Sequence, residues 1–466
     1  MAERVLPQEF SEMLREAVGH DLAGKITEAI LTTPPVTSIR KNPAKWPRLA
    51  AAGHPLATGH SPTAGLPEAC GRPDQIPWCP DGLYLAERPN FTMDPAFHAG
   101  AYYVQEPSSM IIEVLRPLAA GAARLLDLCA APGGKTTHLA SMMGGAACSP
   151  AEGPAAARAG GLTANEIIRS RAATLRENIT KWGDPRISVT SLDPSAFVKM
   201  GHRFDFILVD APCSGEGMFR KDPDSITEWS VRAVNECVVR QRKIVKDIWE
   251  TLEPGGHLAY STRTMNRHEN EENISWFAQT LGAQIVPLGP YLQATLHHTA
   301  TADNNNLGII LTPEGSLRLH PGLVKGEGIF LALLRKPDDD SSSNSNSSLK
   351  TESGSNLNSN SGRSSAPKPN AYGNSKANGN GKQMVTPPEH ADAYAVNYFG
   401  PCPSVELTKE QAISYLCRDS LSLPESPAGY LRVTYCGLGL GFVKNIGSRA
   451  NNLLPTSLRI LNRKLG

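Results

Sequence analysis

Leu125-Leu-Asp-Leu-Cys-Ala-Ala-Pro-Gly-Gly-Lys-Thr136 and Phe206-Ile-Leu-Val-Asp-Ala-Pro-Cys-Ser-Gly-Glu-Gly217 decide the fold. Each is an apolar run that ends in an acid and then turns on small residues. An unbroken apolar run marks a strand buried on both faces. An acid at its end marks a side chain delivered to the carboxyl edge of a parallel α/β sheet. The flanking sequence continues the pattern. Strand-like runs at Arg124–Leu128, Gly161–Asn165, Ile187–Ser191, Phe204–Val209, Gly256–Ser261, Ala283–Pro287 and Ile329–Leu334 alternate with helical periodicity at Thr136–Met143, Ile168–Lys181, Ala233–Thr251 and Glu269–Gln279. This alternation predicts a doubly wound sheet across residues 101–336.

The first turn, Cys129, Ala130, Ala131, Pro132, Gly133, Gly134 and Lys135, opens a helix. Its glycines let a ligand approach the backbone, and the helix start presents free N–H groups. Glu166 ends the next strand, where an acid can accept both ribose hydroxyl hydrogens. An Ala/Gly/Pro-rich insertion at 144–160 lengthens the spacing between the two. Asp193 follows the third strand and Asp210 ends the fourth. Any one of these acids alone reads as a helix N-cap or a surface carboxylate. Four successive strands ending this way predict a nucleotide-like cofactor, and the absence of a GxGxxG turn argues against a dinucleotide. Cys213, directly after Pro212 on a tight turn, is the candidate nucleophile, whereas Cys129 reads as packing that lines the pocket. A cofactor sheet beside such a thiol points to methyl transfer onto a pyrimidine ring. Lys135 is a helix-start lysine or reaches the catalytic side. Glu269-Asn-Glu-Glu-Asn273 reads as a helix start whose acids favour the dipole, not as a metal site.

The 466 residues predict two or three domains. With 46 basic and 45 acidic residues, global charge names no partner. Locally, Ser426 to Gly466 holds no acid but carries Arg432, Lys444, Arg449, Arg459, Arg463 and Lys464. That is either the footprint of phosphate contact or a basic solvated surface. Nine cysteines without a CxxC pair argue against zinc and against a secreted disulfide scaffold. No apolar run is long enough for a bilayer and no signal core opens the chain, so a soluble cytoplasmic protein without metal or membrane is expected. Phe10, Met13, Leu14, Val18 and Leu22 predict one amphipathic helix, and Thr33–Asn42 a turn into a strand. A Ser/Asn/Gly tract separates residues 101–336 from a β-rich tail and predicts a flexible tether.

The two turns, together with Tyr260-Ser-Thr-Arg-Thr-Met-Asn-Arg-His-Glu-Asn-Glu-Glu-Asn273 and Gln105-Glu-Pro-Ser-Ser-Met110, resemble the signature segments of the Sun-type RNA 5-methylcytosine methyltransferases, in the same order. The bacterial RsmF-like branch, which acts on small-subunit ribosomal RNA, is the most similar. The resemblance implies a Rossmann-like α/β methyltransferase core at 101–336, an N-terminal mixed α/β RNA-binding lobe at 1–100, a linker at 337–390 and a small β-rich, PUA-like RNA-binding domain at 391–466. It implies S-adenosylmethionine over Cys129–Lys135, with Glu166 on its ribose, Asp193 near the adenine and Asp210 near the methionine amine. Cys213 would assist release of the methylated product. Lys444, Arg449 and Arg459 would meet RNA, either 16S-type ribosomal RNA or the small ribosomal subunit.

One position departs from the family. Its nucleophilic cysteine lies in Thr-Cys-Thr after the fifth strand, and here Ser261-Thr-Arg-Thr264 puts Arg263 there. Carbon 5 of cytosine accepts a methyl group only after a thiolate adds at carbon 6, and a guanidinium stays protonated. Three explanations stand: an inactive relative that still binds RNA, attack by Cys213, or a sequence variant one base from cysteine. Two classes of function follow, an RNA methyltransferase or a catalytically impaired RNA-binding, ribosome-assembly relative. A small-molecule or protein methyltransferase fits the basic tail and the two turns less well.

Overall fold

The computed structural model describes residues 5–58, 75–144, 161–298, 307–338 and 387–461. Almost all of the 144–160 insertion and most of the expected linker lie outside the described residues.

The N-terminal lobe carries an antiparallel sheet of β1 (Thr37–Lys41), β2 (Gly82–Leu85) and β3 (Tyr102–Val104) in the order β2-β1-β3. The single amphipathic helix expected through Leu22 is two helices, Gln8–Val18 and His20–Thr32, because Gly19 takes φ 82° and breaks the first. They bury Phe10, Leu14, Ile26 and Ile30 against Phe219 and Trp229 of the core rather than against their own sheet. Phe10 sits edge-on to Phe219 with ring centroids 5.1 Å apart.

The core sheet contains β4 (Arg124–Asp127), β5 (Gly161–Asn165), β6 (Ile187–Thr190), β7 (Phe204–Asp210), β8 (Leu252–Thr262), β9 (Gln284–Val286), β10 (Ile310–Leu311), β11 (Leu317–Leu319) and β12 (Ile329–Arg335). The order is β10-β11-β12-β8-β7-β4-β5-β6, with β9 also on β12. β4 to β8 pair in parallel. Antiparallel β12, β11 and β10 complete the sheet beyond β8. All seven expected strands form, and β10 and β11 are additional. The four expected helices appear at Gly134–Met142, Arg169–Trp182, Val231–Trp249 and Glu271–Leu281, each shifted by no more than about a turn. Leu125 and Leu208 face one buried cluster, while Leu126, Ile207 and Val209 face another, which explains the unbroken apolar runs. From β4 the chain winds outward through β5 and β6, then returns to start β7 on the other side of β4. The order therefore reverses between β4 and β7, and both quoted turns leave the carboxyl ends of that pair, where open α/β sheets bind ligands.

The C-terminal domain holds β13 (Ser404–Glu406), β14 (Gly429–Tyr435), β15 (Leu438–Asn445) and β16 (Ala450–Asn452) in one sheet beside the helix Lys409–Leu416. Its Leu407, Tyr415, Leu431 and Leu438 share one apolar cluster with Ile39, Leu49, Leu83 and Tyr102 of the N-terminal lobe. Arg432 is not part of a basic surface: it is buried and donates to the carbonyls of Ala393 and Ala395. Lys444, Arg449 and Arg459 are exposed, while Arg463 and Lys464 lie outside the described residues. Among the described residues, no helix is long and apolar enough to cross a membrane.

Candidate active site

The turn after β4 runs into the helix Gly134–Met142 through Gly133, which caps it at φ 109°, a conformation that only glycine adopts without strain. Two buried carboxylate oxygens beside it lack a hydrogen-bond donor. Asp127 accepts from the Thr136 hydroxyl (2.6 Å) through Oδ2, and its Oδ1 has none. Burial lifts this carboxyl to about 7. Glu166 accepts from the Ile168 amide (3.0 Å) through Oε1, while Oε2 has only the Arg171 guanidinium at 3.4 Å, without hydrogen-bond geometry. Unspent buried acceptors at a strand end fit ribose hydroxyls. Next to them Ile167 and Ile168 stand exposed at the end of β5, an apolar ledge fit for a flat base that the sequence pattern does not reveal. Asp193 lies on the rim as the N-cap of the helix Pro194–Lys199, accepting from the Ser195 amide and hydroxyl, and these bonds hold its carboxyl below the usual range.

Lys135 and Asp210 meet at 2.8 Å, and Ser261 Oγ donates to the other Asp210 oxygen at 2.7 Å. Burial alone would raise Asp210. The Lys135 charge and the two hydrogen bonds win, and hold it below the usual carboxylate range. A cationic ligand group reaching Asp210 would share it with Lys135.

Cys213 and residue 263 also come together. The Arg263 backbone N–H donates to Cys213 Sγ at 3.3 Å, so the ends of β7 and β8 abut. The Arg263 guanidinium turns away and donates to Ser109 Oγ (2.7 Å), with Glu106 at 3.5 Å. Burial would raise the Glu106 carboxyl; Arg263 and the amides of Glu327 and Ser108 hold it low. The Cys213 thiol is pushed up, first by burial and then by the Glu269 carboxylate. Cys129 is pushed up by burial too, and packs against the apolar cluster behind the sheet.

The run from Glu269 to Asn273 does more than start a helix, since Glu269 and Asn270 precede the helix Glu271–Leu281 and are fully buried. Glu269 accepts from the Ser214 amide (3.0 Å), Gln241 (2.7 Å) and Asn266 (2.9 Å). Glu216 accepts from the Met265 and Asn266 amides and from Trp229 Nε1. Ser214 and Thr264 hydroxyls lie 2.9 Å apart. The network ties the Cys213 turn to the residue-263 turn. Glu271 pairs with buried Arg318.

Cys79, Glu113 and His138 converge in the core, with their ligand-type atoms within 4.8 Å of one another. His138 Nε2 already bonds Glu113 at 2.7 Å, Arg116 pairs with the same carboxylate, and His138 Nδ1 has no partner. Metal-bound histidines normally anchor that second nitrogen, so the trio reads as a buried hydrogen-bonded chain beside a packed thiol.

Family models match most of the chain. One described as 16S rRNA methyltransferase RsmB/F covers residues 114–335, one for the N-terminal domain of 16S rRNA methyltransferase RsmF covers 6–107, and one for the methyltransferase RsmF PUA domain covers 402–460. The chain is 34% identical over 338 residues to ribosomal RNA small subunit methyltransferase F of Cronobacter sakazakii, covering 71% of this chain and 63% of that protein. It is 38% identical over 271 residues to the Escherichia coli protein of the same description, covering 56% of this chain and 51% of that one. The chain thus spans between half and two thirds of these relatives' length. A solved methyltransferase homolog from Pyrococcus horikoshii is similar with a TM-score of 0.53 at 25% identity, covering 71% of this chain and 95% of that one.

Proposed function

This chain belongs to the family of 16S rRNA methyltransferases RsmB/F, and we propose that it methylates carbon 5 of a cytosine in small-subunit ribosomal RNA. S-adenosylmethionine supplies the electrophilic methyl group. Residues Cys129–Lys135 would lie beneath it, with Glu166 on the ribose, Asp193 and Ile167 by the adenine, and Asp210 by the amine. The observation that carries the reading is the 3.3 Å approach of the residue-263 amide to Cys213 Sγ beside the Lys135–Asp210 pair. It supports a site with two cysteine positions, one for a nucleophile and one for a group that releases the product.

In the reaction proposed, a thiolate at position 263 adds to carbon 6 of the ring. Carbon 5 then takes the methyl group, a base removes the carbon 5 proton, and the thiolate leaves as the 5,6 double bond returns. Arginine cannot perform the first step. Cys213 is a poor substitute, because burial and Glu269 keep its thiol protonated. We therefore propose low activity for the chain as it stands. A second reading, a catalytically impaired RNA-binding or ribosome-assembly relative, is favoured by the anchoring of the Arg263 guanidinium on Ser109 and Glu106.

The test is transfer of labelled methyl from S-adenosylmethionine into cytosine of small-subunit ribosomal RNA. Arg263→Cys is expected to raise it by on the order of 10³-fold or more, the scale of a lost nucleophile. Adding Cys213→Ala to that variant should trap a covalent RNA complex, visible as a heavier band on a denaturing gel. An Arg263→Cys protein that binds cofactor and RNA but neither methylates nor crosslinks refutes the proposal. Full wild-type activity abolished by Cys213→Ala would instead make Cys213 the nucleophile. The same reading has the basic C-terminal face and the N-terminal lobe holding RNA, the division at 1–100, 101–336, 337–390 and 391–466 with the first boundary moved past β3, which pairs with β1 of the lobe, and a cytoplasmic location.

A further inference from the structure

The carbonyls of the turn after β4 are held from outside the core as well as from within it. Ala130 O accepts from the Gly133 amide (2.7 Å) and Gly133 O from Thr137, both local contacts. Ala131 O accepts from Arg171 at 3.0 Å. Pro132 O accepts from Asn178 Nδ2 at 2.9 Å and from the Tyr103 hydroxyl at 3.0 Å. Gly134 O accepts from the Arg40 guanidinium at 3.3 Å, and the same group donates to the Thr137 hydroxyl at 2.5 Å.

Arg40 and Tyr103 belong to the N-terminal lobe, and they are direct cross-strand partners on β1 and β3. Residues opposite each other in an antiparallel pair project to the same face, so one face of this small sheet is aimed at the turn. Arg40 is fully buried, its Nε fixed by Gln105 Oε1 at 2.8 Å and its plane lying 4.7 Å over the Trp182 ring. The Tyr103 ring covers Gly134 so closely that a Cβ there would sit 3.3 Å from it. Tyr102, one residue earlier, points the other way. Its hydroxyl donates to Asp94 at 2.5 Å, and its ring packs in the cluster shared with the C-terminal domain.

We propose that Arg40 and Tyr103 are positioning residues through which the N-terminal lobe clamps the cofactor turn and sets cofactor affinity. The inference rests on the cofactor reading of residues 129–135. It gives the lobe a task beyond holding RNA: without it, the Pro132 and Gly134 carbonyls lose donors and the turn loses the wall against which Gly134 packs.

Calorimetric titration of the full chain with S-adenosylhomocysteine tests it. Tyr103→Phe removes one of two donors to Pro132 O and should weaken binding about fivefold, the scale of one net hydrogen bond. The ligand-free thermal midpoint should stay within about two degrees, because the hydroxyl is not enclosed. Arg40→Lys keeps the charge but cannot bridge Gln105, Thr137 and Gly134, and should cost about tenfold or more. Tyr102→Phe is the control: it should lower the thermal midpoint and leave affinity unchanged. Wild-type affinity in both Tyr103→Phe and Arg40→Lys overturns the clamp. If Arg40→Lys fails to fold, Tyr103→Phe decides alone. A wild-type chain that binds no S-adenosylhomocysteine at millimolar concentration overturns the cofactor assignment itself, a different result from equal binding by all variants.

Discussion

Lowering the pH should destabilise this protein steeply, and the structure gives the scale. His98, His138 and His320 are buried, and burial lowers them to about 4, 4 and 3. His320 has no hydrogen-bond partner on either ring nitrogen. Unfolded histidine titrates near 6.5, so below that pH the unfolded chain takes up protons that the folded chain refuses. Stability is therefore complete above about pH 6.5 and is lost as pH falls toward about 4, at up to about 1.4 kcal/mol per pH unit for each histidine. Between about pH 7 and 5 the three together remove about 6 kcal/mol, a large part of the roughly 5–15 kcal/mol that stabilises a typical domain. Asp127 acts in the opposite sense. Its folded carboxyl is raised to about 7, so it takes up a proton on folding and regains about 2 kcal/mol over the same interval, offsetting roughly one histidine. Urea unfolding at pH 7.5, 6.5, 5.5 and 5 should show a falling midpoint at constant slope, and His320→Met should flatten the fall by one histidine's share. A midpoint that stays level down to pH 5, or a His320→Met chain with the wild-type pH dependence, refutes the argument.

Asp210→Ala should lower affinity for S-adenosylhomocysteine more than tenfold, because it removes a carboxylate and strands Lys135, its partner at 2.8 Å; calorimetry measures it, and an unchanged constant would detach Asp210 from the cofactor. Arg263→Cys should lower the thermal midpoint by about 2–6 °C even as it raises methylation, since Glu106 loses its cation but keeps the Ser108, Ser109 and Glu327 amides. Lys444→Ala, Arg449→Ala and Arg459→Ala should each weaken RNA binding across sequences and reduce the salt slope by about one for every phosphate left unneutralised; binding that ignores salt counts against that face.

The two central strands, β4 and β7, were legible because burial on both faces writes itself as unbroken apolar runs, and Asp127 and Asp210 were readable from their places at the ends of those runs. What escaped had local or distant causes. Gly19 stands inside an intact helical period, and only its positive φ splits the helix. β10 and β11 span two and three residues, too few to show alternation. Arg432 reads as one more surface cation until the segment around Ala393 folds over it. Glu269 looks like a helix-dipole acid because nothing local reveals that Ser214 and Gln241 converge on it. The clamp on the cofactor turn is the clearest case: Arg40 and Thr137 are 97 positions apart, and no periodicity connects them.

These distances bear on why residue 263 can change without undoing the site. The two turns that carry Cys213 and residue 263 are fastened by Glu216, Glu269, Asn266, Ser214 and Thr264, and none of these bonds uses the residue-263 side chain. Its own contribution to the junction is backbone only: the amide donates to Cys213 Sγ and the carbonyl accepts from the Gly217 amide, a pair that any residue but proline supplies. The guanidinium leaves the junction and is taken up by Ser109 and by a carboxylate already fixed by three backbone amides. Geometry and chemical competence are therefore separable at this position. The scaffold fixes the backbone of residue 263 beside Cys213, and in the reaction proposed above the side chain alone decides whether a nucleophile stands there. A substitution that places a thiol there asks for no refolding, only for Glu106 to do without its cation.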